Sequence, residues 1–138
     1  MLALSLTTPV WAGEFRSVAA PAVVLYDAPS AQAKKLFVVD RYYPVEIIVS
    51  LDEWAKVRDS RGELAWIEAK NLAPARMLLV NVARLEVRES PEPAAKVLFR
   101  AGKDVVLALL EARNDGWIKV RHRDGMTGFV QSTQVWGL

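Results

Sequence analysis

One short pattern occurs twice in this chain, and it limits the fold more than any other feature. Trp54-Ala55-Lys56-Val57-Arg58, Gly62 and Ala65-Trp66-Ile67 return as Trp117-Ile118-Lys119-Val120-Arg121, Gly125 and Gly128-Phe129-Val130. Every equivalent pair lies 63 residues apart, without a gap. The pattern is a strand, a turn and a second strand. Alternation sets Trp54 and Lys56 on one face and Ala55 and Val57 on the other, and the second copy keeps that order. Gly62 and Gly125 supply the positive φ that a tight hairpin turn requires.

Matches continue outside the hairpin. Met77–Val82 repeats the strand around Val18, Leu85–Pro91 repeats Val23–Pro29, and Leu98-Phe99 repeats Leu36-Phe37, all near an offset of 62. Val105–Leu110 aligns with Val45–Ser50 at an offset of 60, which leaves Tyr42-Tyr43 as an insertion peculiar to the first copy. Phe15–Val18 and Ala22–Tyr26 form a candidate strand pair broken by Ala20-Pro21, and Glu68–Leu72 reads as a single helical or 3₁₀ turn before a last short strand. About five short strands per copy and no helix-period stretch predict an all-β chain of two tandem small antiparallel barrels. The expected boundaries are 13–73 and 76–138. The connection Ala73-Pro74-Ala75 is too short for independent tumbling. Units of this size bury only about 60% of their unfolded surface, so packing of one copy on the other helps both.

Residues 1–12, MLALSLTTPVWA, are uncharged and mostly apolar, with small residues placed like a signal-peptidase site before Gly13. They are expected to be the end of a signal peptide or a disordered N-terminus, which places the protein in the periplasm or otherwise outside the cytoplasm. A dozen residues cannot span a membrane. The chain has no cysteine, which excludes disulfides, thiolate metal sites and cysteine nucleophiles. Net charge is −1 over residues 13–74 and +3 over residues 75–138. With no dense basic stripe, nucleic acid is not an expected partner. His122 is the sole histidine and falls in a turn between Arg121 and Arg123. No triad, metal site or phosphate loop can be assembled, so no catalytic residue, metal or cofactor is expected.

The second copy resembles the bacterial Src-homology-3-like (SH3-like) family in Leu85-Glu86-Val87-Arg88 with Pro91, Gly102 with Val105-Val106, Gly116-Trp117-Ile118-Lys119-Val120, and Gly125–Val130. The first copy is similar at Trp54–Val57 and Gly62–Ile67, while Leu25-Tyr26-Asp27 replaces the first run and Asp40 stands at the glycine. The resemblance implies two tandem SH3-like barrels and a non-catalytic envelope module that recognises peptidoglycan or a peptide. Trp54 and Trp117 align with the tryptophan that walls the ligand groove in peptide-binding members. Lys56 and Arg58, and Lys119 and Arg121, stand beside them to meet carboxylates. Tyr26, Tyr42 and Arg88 complete the expected binding residues, whereas Trp66 and Phe129 are expected in the core. The competing expectation is a structural adaptor for another envelope protein, with the aromatics buried between the barrels.

Overall fold

A computed structural model describes residues 13–138, so the signal-peptide expectation lies outside the described residues. The first copy contains β1 (Phe15–Val18), β2 (Val23–Tyr26), β3 (Lys35–Val39), β4 (Pro44–Ser50), β5 (Trp54–Arg58), β6 (Leu64–Glu68) and β7 (Leu72–Ala73). The second contains β8 (Met77–Val80), β9 (Arg84–Arg88), β10 (Val97–Gly102), β11 (Val106–Glu111), β12 (Trp117–Arg121), β13 (Thr127–Gln131) and β14 (Val135–Trp136). The strand order β3-β2-β6-β5-β4-β1-β7 is repeated as β10-β9-β13-β12-β11-β8-β14. The two sheets share no strand. Seven strands replace the expected five or so, because a 3₁₀ turn in each copy (Ala69–Asn71, Ser132–Gln134) returns the chain to pair β7 with β1 and β14 with β8.

β1 and β2 do not pair with each other. The Ala19–Ala22 crossing, which includes Ala22 at φ 56°, carries the chain from β1 to the other side of the sheet. The expected 60-residue offset is also corrected. Val45 faces Arg16 and Leu107 faces Leu78, so β4 and β11 are related by 62 residues. Tyr42-Tyr43 is therefore no insertion but the counterpart of Asp104-Val105. Tyr42 and Asp104 share a left-handed backbone, φ 73° and 69°, and both donate N–H to the last carbonyl of the first strand, Val18 or Val80, at 2.9 Å. The single added residue falls in the loop before β12. Both copies also carry a bulge in the same strand, at Ile47/Val49 and Leu109/Glu111, which tightens the twist that closes each barrel.

Inside each barrel the alternation of β5 and β12 is as expected, with Val57 and Val120 inward. Val18, Leu25, Val45, Val57 and Ile67 centre one core, and Leu78, Leu85, Val87, Leu107, Val120 and Val130 centre the other. Between the barrels Phe15, 5% exposed, meets Trp136 edge to face at 5.2 Å. Arg76 stacks 5.5 Å from the Phe15 ring and donates to the Gly137 carbonyl at 2.8 Å. Neither Trp54 nor Trp117 forms this aromatic junction.

Two substitutions test the packing. A Cβ at Gly128 would lie 2.5 Å from Val87 Cγ1 and 2.8 Å from the Arg88 carbonyl oxygen. The first copy holds Ala65 there because Leu25, the counterpart of Val87, branches one carbon further from the backbone. Gly128→Ala should cost about 1–3 kcal/mol in urea unfolding, and an unchanged midpoint would refute the crowding. Trp136→Ala should cost about 2–3 kcal/mol by emptying the junction, and it should separate the unfolding of the two halves into distinct transitions.

Candidate functional site

The outer face of each sheet is built by the β5–β6 and β12–β13 hairpins. Asp59 N donates to Glu63 O at 2.9 Å and Gly62 N to Asp59 O at 3.0 Å. His122, Met126 and Gly125 repeat both bonds at 2.8 and 2.9 Å. Gly62 and Gly125 sit at φ 85° and 94°, as the turn demands. This lock fixes the pairs Trp54↔Glu68, Lys56↔Trp66 and Arg58↔Leu64, and in the second copy Trp117↔Gln131, Lys119↔Phe129 and Arg121↔Thr127.

Tyr26 lies opposite Trp66 on the next strand, so Tyr26, Trp66 and Lys56 form one row across the face. Tyr26 meets Trp54 edge to face at 5.6 Å and 81°. That arrangement sets the positive edge of one ring against the negative face of the other and holds both rings still. Trp66 and Phe129 belong to this outer face and not to the core, which corrects the expectation. They share the parity of Lys56 and Lys119, while Ala65, Ile67, Gly128 and Val130 point inward.

In the second copy the row is Arg88, Phe129 and Lys119. Arg88 takes the place of Tyr26. Its guanidinium donates to Ala95 O at 2.7 Å and pairs with Glu86 at 2.9 Å. Arg88, Arg84, Glu86 and Trp117 line a cleft of about 130 Å³ closed by Gln131 and Gln134. Phe129 lies under two cations, Arg113 at 5.6 Å and Lys119 at 5.8 Å. The structure thus sets Tyr26 against Trp54 and places Arg88 and Trp117 in the lining of one cleft.

A family model described as Bacterial SH3 domain matches residues 19–74 and again residues 81–137. The chain belongs to the bacterial SH3 domain family. Its strand order and both copies agree with that membership, and domains of this family are typically binding modules. Similar solved structures include NlpC2 and NlpC1 from Trichomonas vaginalis, each 15% identical with a TM-score of 0.39. They cover 88% and 99% of this chain and 46% and 50% of their own. An NlpC/P60 family protein from Bacillus cereus ATCC 10987 is 14% identical at a TM-score of 0.40, covering 88% of this chain and 55% of its own. The chain spans about half the length of these structures. No curated protein matches it.

The remaining expected residues of the two SH3 domains lie further out. Arg58 and Arg121 sit at the far ends of β5 and β12, and Arg58 is bound to Glu46 at 2.7 Å. Tyr42, 45% exposed, sits before β4, at the opposite end of the β4–β5 hairpin from Trp54, so the structure does not bring the two together. His122 replaces Asp59 in the turn. Its Nδ1 accepts the Asp124 N–H at 3.2 Å, where the Asp59 carboxylate accepts the Arg61 N–H at 2.9 Å. Among the described residues no cluster of His, Asp and Glu is arranged to hold a metal ion. Arg84 and Arg113 escaped the sequence reading because neither falls in the repeated hairpin or in the Leu85–Arg88 run that carries the family resemblance.

Arg113 holds the Asp115 carboxyl below its ordinary value of 3.8, through paired hydrogen bonds and with help from the Trp117 N–H, which donates to Asp115 at 3.1 Å. A depressed folded pKa means the stabilising bonds are complete above the ordinary value and are lost as pH falls through the folded one. The Trp117 backbone amide shift should titrate with a midpoint below 3.8. Asp115→Asn should abolish that titration, and a midpoint at or above 3.8 in the wild type would contradict the geometry.

Proposed function

We propose that this pair of bacterial SH3 domains is a non-catalytic binding module of the bacterial cell envelope, taking peptidoglycan or a peptide on its outer sheet faces. The observation that carries the reading is the Tyr26–Trp54 edge-to-face pair beside Trp66 and Lys56. Tyr26 is buried at 8% exposure and braces Trp54, and the half-buried Trp54 and Trp66 rings offer apolar surface that loses little side-chain entropy when a sugar ring or a proline settles on it. Lys56 makes no ion pair among the described residues, so it supplies a cation for a carboxylate, such as those on the peptide stems of the wall. The cleft between Trp117 and Arg88 repeats the design with the cation moved into the wall of the site. The extracytoplasmic setting rests on the apolar composition of residues 1–12.

Two linked weak sites on one polymer reinforce each other, because the second contact forms at high effective concentration. Retention on purified sacculi should therefore fall about tenfold for Trp54→Ala or Trp117→Ala alone and be lost in the double variant. Equal retention of wild type and the double variant, with circular dichroism unchanged, would remove the aromatic faces from the mechanism.

A further inference from the structure

A concavity larger than the cleft beside Trp117 lies between the barrels, with a volume of about 720 Å³. Phe37, Val38 and Val39 of β3 form part of one wall, and Asn81, Lys103 and Trp136 form part of the other. β3 is the last strand of its sheet and pairs only with β2. No hydrogen bond among the described residues reaches its outer edge, so its outward N–H and C=O groups open to the cleft as a template for another strand.

The second copy provides an internal control. β10 is the matching terminal strand, and Arg100 stands opposite Glu86 there, as Val38 stands opposite Val24. A charged pair on an edge hairpin discourages pairing with another chain. The first copy carries Val–Val instead, and Val38 is 64% exposed. The edge whose middle position is apolar, with its one charge at the first residue, Lys35, is the one that faces the cleft.

We propose that the inter-barrel cleft binds an extended, largely uncharged peptide segment of a partner protein, which adds to β3 as a further strand. The main chain of the partner pairs with the β3 edge, and alternate apolar side chains rest on Val38 and the Trp136 wall. Five residues of β3 admit a strand of about five residues, roughly 17 Å long. The absence of net charge follows from the lining. The two cations Arg61 and Lys103 in the lining are matched in number by Asp59 and Asp104, and Asp59 is already bound by the Arg61 and Glu63 N–H groups and by the Arg61 guanidinium. Arg61 also covers the Phe37 ring at 4.9 Å, which keeps that wall in place.

The test selects a displayed library of random linear twelve-residue peptides on the full chain, then measures synthetic copies of the enriched sequences by fluorescence polarisation and amide NMR. Enriched peptides should alternate apolar residues, shift the amides of Phe37–Val39 and Asn81, and slow hydrogen exchange along β3. Val38→Arg, which places the side chain of the second copy at an exposed position, should weaken them at least tenfold, and Trp54→Ala should leave them unchanged. N-methylation of alternate peptide residues should also weaken binding at least tenfold, a readout that does not depend on how any variant folds. The proposal is overturned if no sequence is enriched, or if enriched peptides bind wild type and Val38→Arg equally. It is also overturned if N-methylation has no effect, or if sedimentation shows a dimer that Val38→Arg dissolves, which would make a second copy of this chain the occupant.

Discussion

Each barrel rests on the register of one hairpin. The bonds that close the turns at Asp59–Glu63 and His122–Met126 decide which residues of the next strand face inward. Because side chains alternate with period two, a slip of one residue would send Ala65 and Ile67 to solvent and drive Trp66 into a core already filled by Leu25, Val45 and Val57. The turn is therefore a device for the outer surface as much as for the core. The row of Tyr26, Trp66 and Lys56 exists only in that register.

The turn can be closed by different chemistry in the two copies. Asp59 is 4% exposed, accepts two backbone N–H groups and carries an ion pair with Arg61. His122 accepts one N–H through Nδ1 and rests against Phe99 at 6.0 Å. A neutral imidazole can accept at one nitrogen only while that nitrogen carries no proton. The two turns thus share a backbone path but not an electrostatic character. The first leaves a charged guanidinium over Phe37, beside the inter-barrel cleft, and the second leaves an imidazole against Phe99.

Much of this was legible in the residues, and the exceptions have physical causes. The duplication, the glycine turns and the shared face of Ala55 and Val57 follow from spacing alone. Trp66 and Phe129 were expected inside because large aromatics are usually buried, yet parity with Lys56 already placed them on the outer face. Tyr42 was read as an insertion because an aromatic residue and Asp104 share no chemistry; what they share is a left-handed backbone and one N–H bond. Arg16 facing Val45 and Leu78 facing Leu107 reveal the true offset, which side-chain similarity in a β-branched run cannot. Nothing in the sequence marks the cleft, since its two walls come from different copies and depend on the Phe15–Trp136 junction.

Duplication gives two copies of every position, and the positions that diverged are informative because the fold around them did not. Inward sites exchange one apolar side chain for another, as Leu25 for Val87 and Val45 for Leu107, and shape decides what fits beside them, as with Ala65 and Gly128. Outer sites exchange chemistry: Tyr26 for Arg88, Trp66 for Phe129, Val24 and Val38 for Glu86 and Arg100. Packing limits the first class to changes of shape, because a polar atom without a partner in a core costs about 1–3 kcal/mol. No such limit acts on the second class. The first barrel presents aromatic rings beside Lys56 and an edge strand that carries Val38, and the second a cation-lined cleft and an edge strand with Arg100 at the matching position. One sheet topology therefore offers two unlike surfaces, held in a fixed relation by a linker of three residues and a single aromatic junction.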